Sequence, residues 1–166
     1  MDHIWTPWRM EYILENHKHK GCIFCLAANA EDDLKHLVFY RGEFCYMILN
    51  RYPYTSGHVM CVPYVHEAHL QKLTSEIRSE MMALTTRAVE VLQSVYQPDG
   101  LNVGLNLGEM AGAGVEDHLH MHIVPRWAGD TNFMASIGGT RVLPESLPET
   151  YMRVKAEWDK SDSSIK

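Results

Sequence analysis

Three histidines stand at alternate positions in "EDHLHMHIVPRW", Glu116–Trp127: His118, His120 and His122. Imidazole is the side chain best matched to chemistry near neutral pH, as nucleophile, proton donor or metal ligand. In a strand, side chains alternate faces, so the three imidazoles share one face while Leu119, Met121 and Ile123 share the other and enter the core. At about 3.3 Å per residue, neighbouring histidines stand roughly 6–7 Å apart at Cα and the outer pair roughly 13 Å apart. Two neighbours can converge on one ion, but a mononuclear site using all three demands a bent strand. One acting histidine, with the others orienting it or holding a ligand, fits the spacing better than a three-histidine metal hydrolase. A solvated polar face is the bland alternative, and three histidines in five positions is far from average usage. Glu116 and Asp117 flank the face, but Asp117 is out of phase with it.

The loop before this strand, "NLGEMAGAG", carries Gly108, Gly112 and Gly114. Glycine-rich backbone can approach an anion closely and aim N–H groups at it. Alone it reads as a flexible loop. Leading into a histidine strand, it points to phosphate chemistry, in which a neutral imidazole attacks phosphorus and a neighbouring N–H stabilises the oxygens. A second cluster is "GCIFC", with Cys22 and Cys25. It is open to three readings: two buried thiols, a redox pair, or half of a zinc site. A zinc site needs two further ligands, and His66 and His69 in "YVHEAHL" are candidates. Cys45 and Cys61 lie in strand patterns and read as core. Trp127 either stacks on a base or packs at the surface.

The elements that must position these groups are legible from periodicity. "LVFY" (Leu37–Tyr40) and "EFCYMILN" (Glu43–Asn50) read as strands around the Arg41-Gly42 turn, and "HVMCVP" (His58–Pro63) as a third. Ile77, Met81, Leu84, Ala88, Val91, Leu92 and Val95 recur at helical spacing, with Thr74 or Ser75 as cap and Pro98 and Gly100 as stop. "LNVGLNLG" (Leu101–Gly108) alternates as a strand, and Leu147, Tyr151, Val154 and Trp158 trace a second amphipathic helix. The class is α+β: an antiparallel sheet with a central long helix and a C-terminal helix.

With 166 residues and 46% apolar content, the chain supports one domain, 1–158, followed by a tail over 159–166. A net charge of −6 argues against a surface for long nucleic acid but leaves room for a local anion site. No apolar run is long enough to span a bilayer, and "MDHIWTPWRMEY" has no signal-peptide core, so a cytoplasmic location is expected.

"HLHMHIV" follows the pattern H-φ-H-φ-H-φ-φ and resembles the motif of the histidine-triad nucleotide hydrolases and transferases. "NRYPYTSGHVMCVP" resembles the upstream segment of that family, with Pro53 opening a turn that Gly57-His58 closes, and "LNLGEMAGAG" its phosphate loop. "WTPWR" and "HIVPRWAGDTNFM" look like the bacterial branch acting on diadenosine tetraphosphate, and the similarity runs from Trp5 to Trp158. The resemblance implies a diadenosine tetraphosphate-type hydrolase. In it, His120 is the nucleophile at the α-phosphate, His122 the partner of the phosphate and leaving oxygen, His118 a support, and His58 a second support behind the triad. It implies that Asn50 holds ribose hydroxyls, that Ile48 and Leu49 help form the base pocket, and that Asn106 contacts phosphate. The backbone of Gly112, Ala113 and Gly114 would cradle the phosphate. It further implies a closed structural zinc on Cys22, Cys25, His66 and His118, with His69 in reserve, no organic cofactor, and a homodimer. Where related diadenosine tetraphosphate phosphorylases carry Ser, this chain has Gly114, which weakens the phosphorylase reading. Phosphorolysis, and a purine nucleotide-binding module with weak phosphoramidate hydrolysis, are the alternatives.

Overall fold

A computed structural model describes residues 21–130 and 143–163. The "WTPWR" segment and residues 131–134 of the post-triad segment lie outside the described residues. The chain enters through two short helices, α1 (Ile23–Ala28) and α2 (Asp33–His36), followed by β1 (Val38–Arg41), β2 (Cys45–Leu49) and β3 (Val59–Pro63). A 22-residue helix, α3 (Ser75–Tyr96), leads to β4 (Gly100–Leu105), β5 (Met121–Arg126) and α4 (Leu147–Ser163). The five strands form one antiparallel sheet in the order β1-β2-β3-β5-β4. The architecture is α+β, as the periodicities predict.

Each long helix forms for the reason its sequence gives. Thr74 accepts a hydrogen bond from the Ile77 N–H and caps α3, whose Met81, Leu84, Ala88, Val91 and Leu92 are buried. That stripe packs on β2, β3 and β5. The helix ends at Gln97, which takes a left-handed conformation before Pro98. Tyr151, Val154 and Trp158 bury one side of α4 against α3 and β1. This helix runs on to Ser163, so residues 159–163 are helical where a tail is expected from their composition. Lys155 pairs with Asp159 and Lys160 with Glu157 along the helix surface, which lets a polar segment remain helical.

Strand alternation assigns two faces. Cys45 Sγ reaches the Ile77 carbonyl of α3, and Thr85 of α3 donates to Met121 Sδ at 3.2 Å, so Cys45 and Met121 face the long helix. His122, next along β5, faces the other way, opposite Met60 on β3 and Gly104 on β4. Helix α1 covers that second face, and the Tyr46 hydroxyl donates to the Phe24 carbonyl at 2.8 Å. Arg41 secures the far end of α1 by donating to the carbonyls of Ala27, Ala28 and Ala30.

Glu80 of α3 clasps the β1–β2 turn: its carboxylate accepts the N–H groups of Glu43, Phe44 and Cys45 at 2.8, 2.5 and 2.7 Å. Gly42 leaves room for it, since a Cβ there would stand 2.6 Å from Glu80 Oε1. Three amides on one ionised acceptor form a charge-assisted set. Glu80→Ala is expected to cost about 2–3 kcal/mol, a fall in Tm of roughly 4–12 °C measurable by thermal unfolding. An unchanged melt would mean that water replaces the carboxylate without cost.

Candidate active site and metal centre

The histidine segment is only partly strand. β5 begins at Met121 because the chain before it leaves the sheet: the Leu119 N–H donates to the Glu67 carbonyl, in the loop after β3. The imidazoles nevertheless keep their alternation, and His118, His120 and His122 are all buried on the α1-facing side. His58, immediately before β3, is buried beside them.

The backbone assigns a proton to each ring. His118 Nε2–H donates to the Pro63 carbonyl at 2.9 Å, which leaves the Nδ1 lone pair free to ligate. His120 Nδ1–H donates to the His118 carbonyl at 2.8 Å, which leaves Nε2 as the available lone pair. The Tyr54 N–H donates to His58 Nδ1 at 3.1 Å, so His58 carries its proton on Nε2 and donates it to His122 Nδ1 at 2.9 Å. His122 therefore presents an Nε2–H. The rings of His120 and His122 lie 4.8 Å apart and nearly perpendicular. One offers a lone pair and the other a proton to the same space.

Burial keeps these rings neutral. Desolvation lowers the pKa of His120, against the opposing pull of the His118 carbonyl. Desolvation, with the neighbouring His120 second, lowers His122 to about 4. His118 is lowered first by desolvation, and its Pro63 bond opposes the shift. A neutral His120 is the nucleophilic form.

Of the other expected residues, Asn50 and Ile48 stand near this centre. Asn50 accepts the Tyr52 N–H on Oδ1 and lies with Nδ2 3.4 Å from both ring nitrogens of His58. Ile48 pairs with Met60 on the histidine face. Leu49 points to the opposite face, toward α3, so strand alternation separates these two and leaves Ile48 alone as a candidate for nucleoside contact. Asn106 follows β4 and donates to the Gly112 carbonyl at 3.3 Å. In the loop, Gly112 takes a left-handed conformation, with φ of 90°. Its N–H donates to the Glu109 carbonyl and that of Ala113 to the Gly108 carbonyl. Those two amides are engaged within the loop in this state, so a phosphate cradle there needs the turn to open. Trp127 lies at the far end of β5, roughly 16 Å along the strand from His122, and packs edge-on against Tyr96.

The Cys-x-x-Cys pair opens α1, Cys22 preceding it and Cys25 in its first turn. Cys22, Cys25, His66 and His118 offer ligand atoms that all lie within 4.8 Å of one another. His66 Nδ1 and His118 Nδ1 are 3.3 Å apart, and the Sγ-to-Nδ1 distances are 3.3, 3.4 and 3.6 Å. Tetrahedral zinc, with Zn–N of about 2.05 Å and Zn–S of about 2.3 Å, requires N···N edges of about 3.3–3.4 Å and N···S edges of about 3.5–3.6 Å. The donor set and its dimensions fit zinc. His69 stands apart, exposed and paired with Glu67 at 2.7 Å. Burial, and Cys22 beside it, push the Cys25 thiol up; a bound metal would reverse that by taking the thiolate.

Sequence reasoning missed several members: Phe24, whose ring lies against both His118 and His120; Tyr54, whose ring stacks on His122; and the carbonyls of Pro63 and His118. Phe24 sits inside the Cys-x-x-Cys motif and was open to notice. The carbonyls leave no trace in residue type.

Comparison with known proteins agrees with this geometry. The HIT domain profile matches residues 31–129. An AP-4-A phosphorylase of Mycobacterium tuberculosis is 41% identical over 165 residues, covering 95% of this chain and 85% of that protein. A bis(5'-nucleosyl)-tetraphosphatase (asymmetrical) of Schizosaccharomyces pombe is 30% identical over 93 residues, 56% of this chain and 50% of its own. Among solved structures, a zinc-bound histidine triad family protein from Mycobacterium smegmatis superposes with a TM-score of 0.68 at 28% identity, covering 87% of this chain and 97% of its own. With three alternating histidines on one buried face and a matching profile over more than half its length, the chain belongs to the histidine-triad (HIT) domain family.

Proposed function

We propose that this protein cleaves dinucleoside polyphosphates of the diadenosine tetraphosphate type at the α-phosphate, through a nucleotidyl group carried on His120. The observation that carries the reading is the opposed proton placement on neighbouring rings: a lone pair on His120 Nε2 and a proton on His122 Nε2. His120 Nε2 attacks phosphorus, and the bond from that phosphorus to the bridging oxygen breaks. The leaving nucleotide departs as an anion, its oxygen hydrogen-bonded by His122 Nε2–H. The positive charge that develops on the His120 ring is held by its Nδ1–H against the His118 carbonyl. In the second step water attacks the same phosphorus, releases the mononucleotide and a proton, and restores neutral His120. In this reading Asn50 and Ile48 serve ribose and base, and Asn106 with the Gly112–Gly114 loop, once its turn opens, serves phosphate. The knuckle of Cys22, Cys25, His66 and His118 holds one structural zinc in this reading, closed by four protein ligands with no open position for water.

A second reading keeps the first step and lets inorganic phosphate replace water. The likeness to the Mycobacterium tuberculosis phosphorylase favours it; Gly114, where the resemblance puts a phosphorylase Ser, weighs against it. Product analysis with diadenosine tetraphosphate, with and without phosphate, decides between them. AMP with ATP is the hydrolytic outcome, and ADP with ATP only in the presence of phosphate is the phosphorolytic one. Absence of turnover in both would overturn the enzymatic reading and leave a nucleotide-binding role.

A further inference from the structure

Phe24 has no part in the chemistry above, yet its ring touches both a member of the metal knuckle, His118, and the nucleophile. It lies between Cys22 and Cys25, is 3% exposed, and places its ring 4.8 Å from the His120 ring at a tilt of 43° and 5.4 Å edge-on from the His118 ring. Its backbone is held as well, since its carbonyl accepts the Tyr46 hydroxyl at 2.8 Å. His120 needs such a backing. Its Nδ1–H bond to the His118 carbonyl spans only two residues, and a single hydrogen bond leaves a ring free to swing about that contact. The ring opposite, His122, meets it edge-on at 4.8 Å and confines it from one direction only. The knuckle thus reaches the nucleophile by two routes. His118 gives its imidazole to the cluster and its carbonyl to His120, and the Cys-x-x-Cys turn presents Phe24 to the nucleophile's flank.

We propose that Phe24 is a positioning residue for His120, seated by the Cys22–Cys25–His66–His118 knuckle, so that the ring keeps Nδ1 on the His118 carbonyl and Nε2 toward substrate. The inference rests on the covalent reading of His120. Misplacing a reacting atom by about 1 Å can cost 10²-fold in rate, so loss of the ring acts on kcat more than on substrate binding.

The test compares zinc-loaded wild type, Phe24→Leu and Phe24→Ala by three measurements: metal content, steady-state kinetics on diadenosine tetraphosphate, and long-range proton–nitrogen correlation spectra of the histidine rings without substrate, assigned with His120→Asn. The expected result is full zinc in all three and KM within about 3-fold, with kcat falling in the order Phe, Leu, Ala and reaching roughly 10- to 100-fold below wild type in Phe24→Ala. The His120 ring, a single Nδ1–H tautomer in wild type, becomes a tautomer mixture as kcat falls. Should Phe24→Ala fail to fold, Phe24→Leu carries the same test at smaller amplitude. Wild-type kcat with an unmixed His120 tautomer in the folded variants overturns the proposal. An effect confined to KM overturns it too, since Phe24 would then serve nucleoside binding. If wild type turns over no dinucleoside polyphosphate, the functional reading fails by itself, and the substrate-free spectra still decide the role of Phe24.

Discussion

His120→Asn is expected to abolish turnover of diadenosine tetraphosphate, by on the order of 10⁴-fold or more, as removal of a covalent nucleophile does elsewhere. Nucleotide affinity is expected to change by less than about 3-fold, because the residues proposed for ribose, base and phosphate are other residues. The substitution is gentle: asparagine can keep a donor near the His118 carbonyl that now receives Nδ1–H, while the lone pair of Nε2 is lost. Binding by calorimetry with single-turnover kinetics checks both halves. Rapid quench of the wild type should trap a nucleotidylated chain that the variant never forms. Persistent turnover in the variant would move the nucleophile elsewhere, and His122 is no substitute, because its Nδ1 is occupied by His58 and its Nε2 carries the proton.

The second large effect concerns the metal. Protein purified without chelator is expected to hold one zinc per chain, and Cys22→Ser or His66→Ala to lose most of it. Stripping the metal is expected to lower Tm by about 10 °C or more, since the binding energy of a structural zinc is folding energy. His66 is the more telling position. It is exposed, contacts the cluster through Nδ1, and is far in sequence from the reacting rings. Activity is expected to fall together with zinc content and the melt, because the same knuckle seats Phe24 and the His118 carbonyl against His120. Inhibition by chelator that added metal reverses with no change in the melt would instead mark a catalytic ion. Well-folded protein free of zinc would remove the structural site altogether.

Legibility from sequence differed by kind of information. Periodicity located the elements because burial depends on residue type: Met81, Leu84, Ala88, Val91 and Leu92 are apolar and buried on α3, and Tyr151, Val154 and Trp158 do the same for α4. The extension of α4 past Trp158 escaped, since a polar helix stabilised by surface pairing resembles a frayed end. The metal cluster follows from the resemblance. Spacing alone left His66 and His69 equal, and only the tertiary path, with the Leu119 amide tied to Glu67, brings His66 to His118. The resemblance puts Leu49 with Ile48 in the base pocket, whereas a period of two sends the two side chains to opposite faces. The phosphate loop was read as open backbone, whereas Gly112 and Ala113 spend their amides inside a tight turn. Hydrogen-bond satisfaction by main-chain partners has no signature in composition.

The three ring protons are allotted by the carbonyl of Pro63, the carbonyl of His118 and the amide of Tyr54. All three are main-chain atoms, common to nearly every residue type. Side-chain drift at position 63 can therefore proceed with the proton pattern intact, whereas at position 54 the ring also stacks on His122 and only the amide is indifferent to residue type. Length is another matter. Removing or adding one residue between His118 and His122 would turn the rings on one side of the change to the opposite face and part the nucleophile from a neighbour. For this segment, spacing is under tighter heredity than the identity of the residues that enforce it.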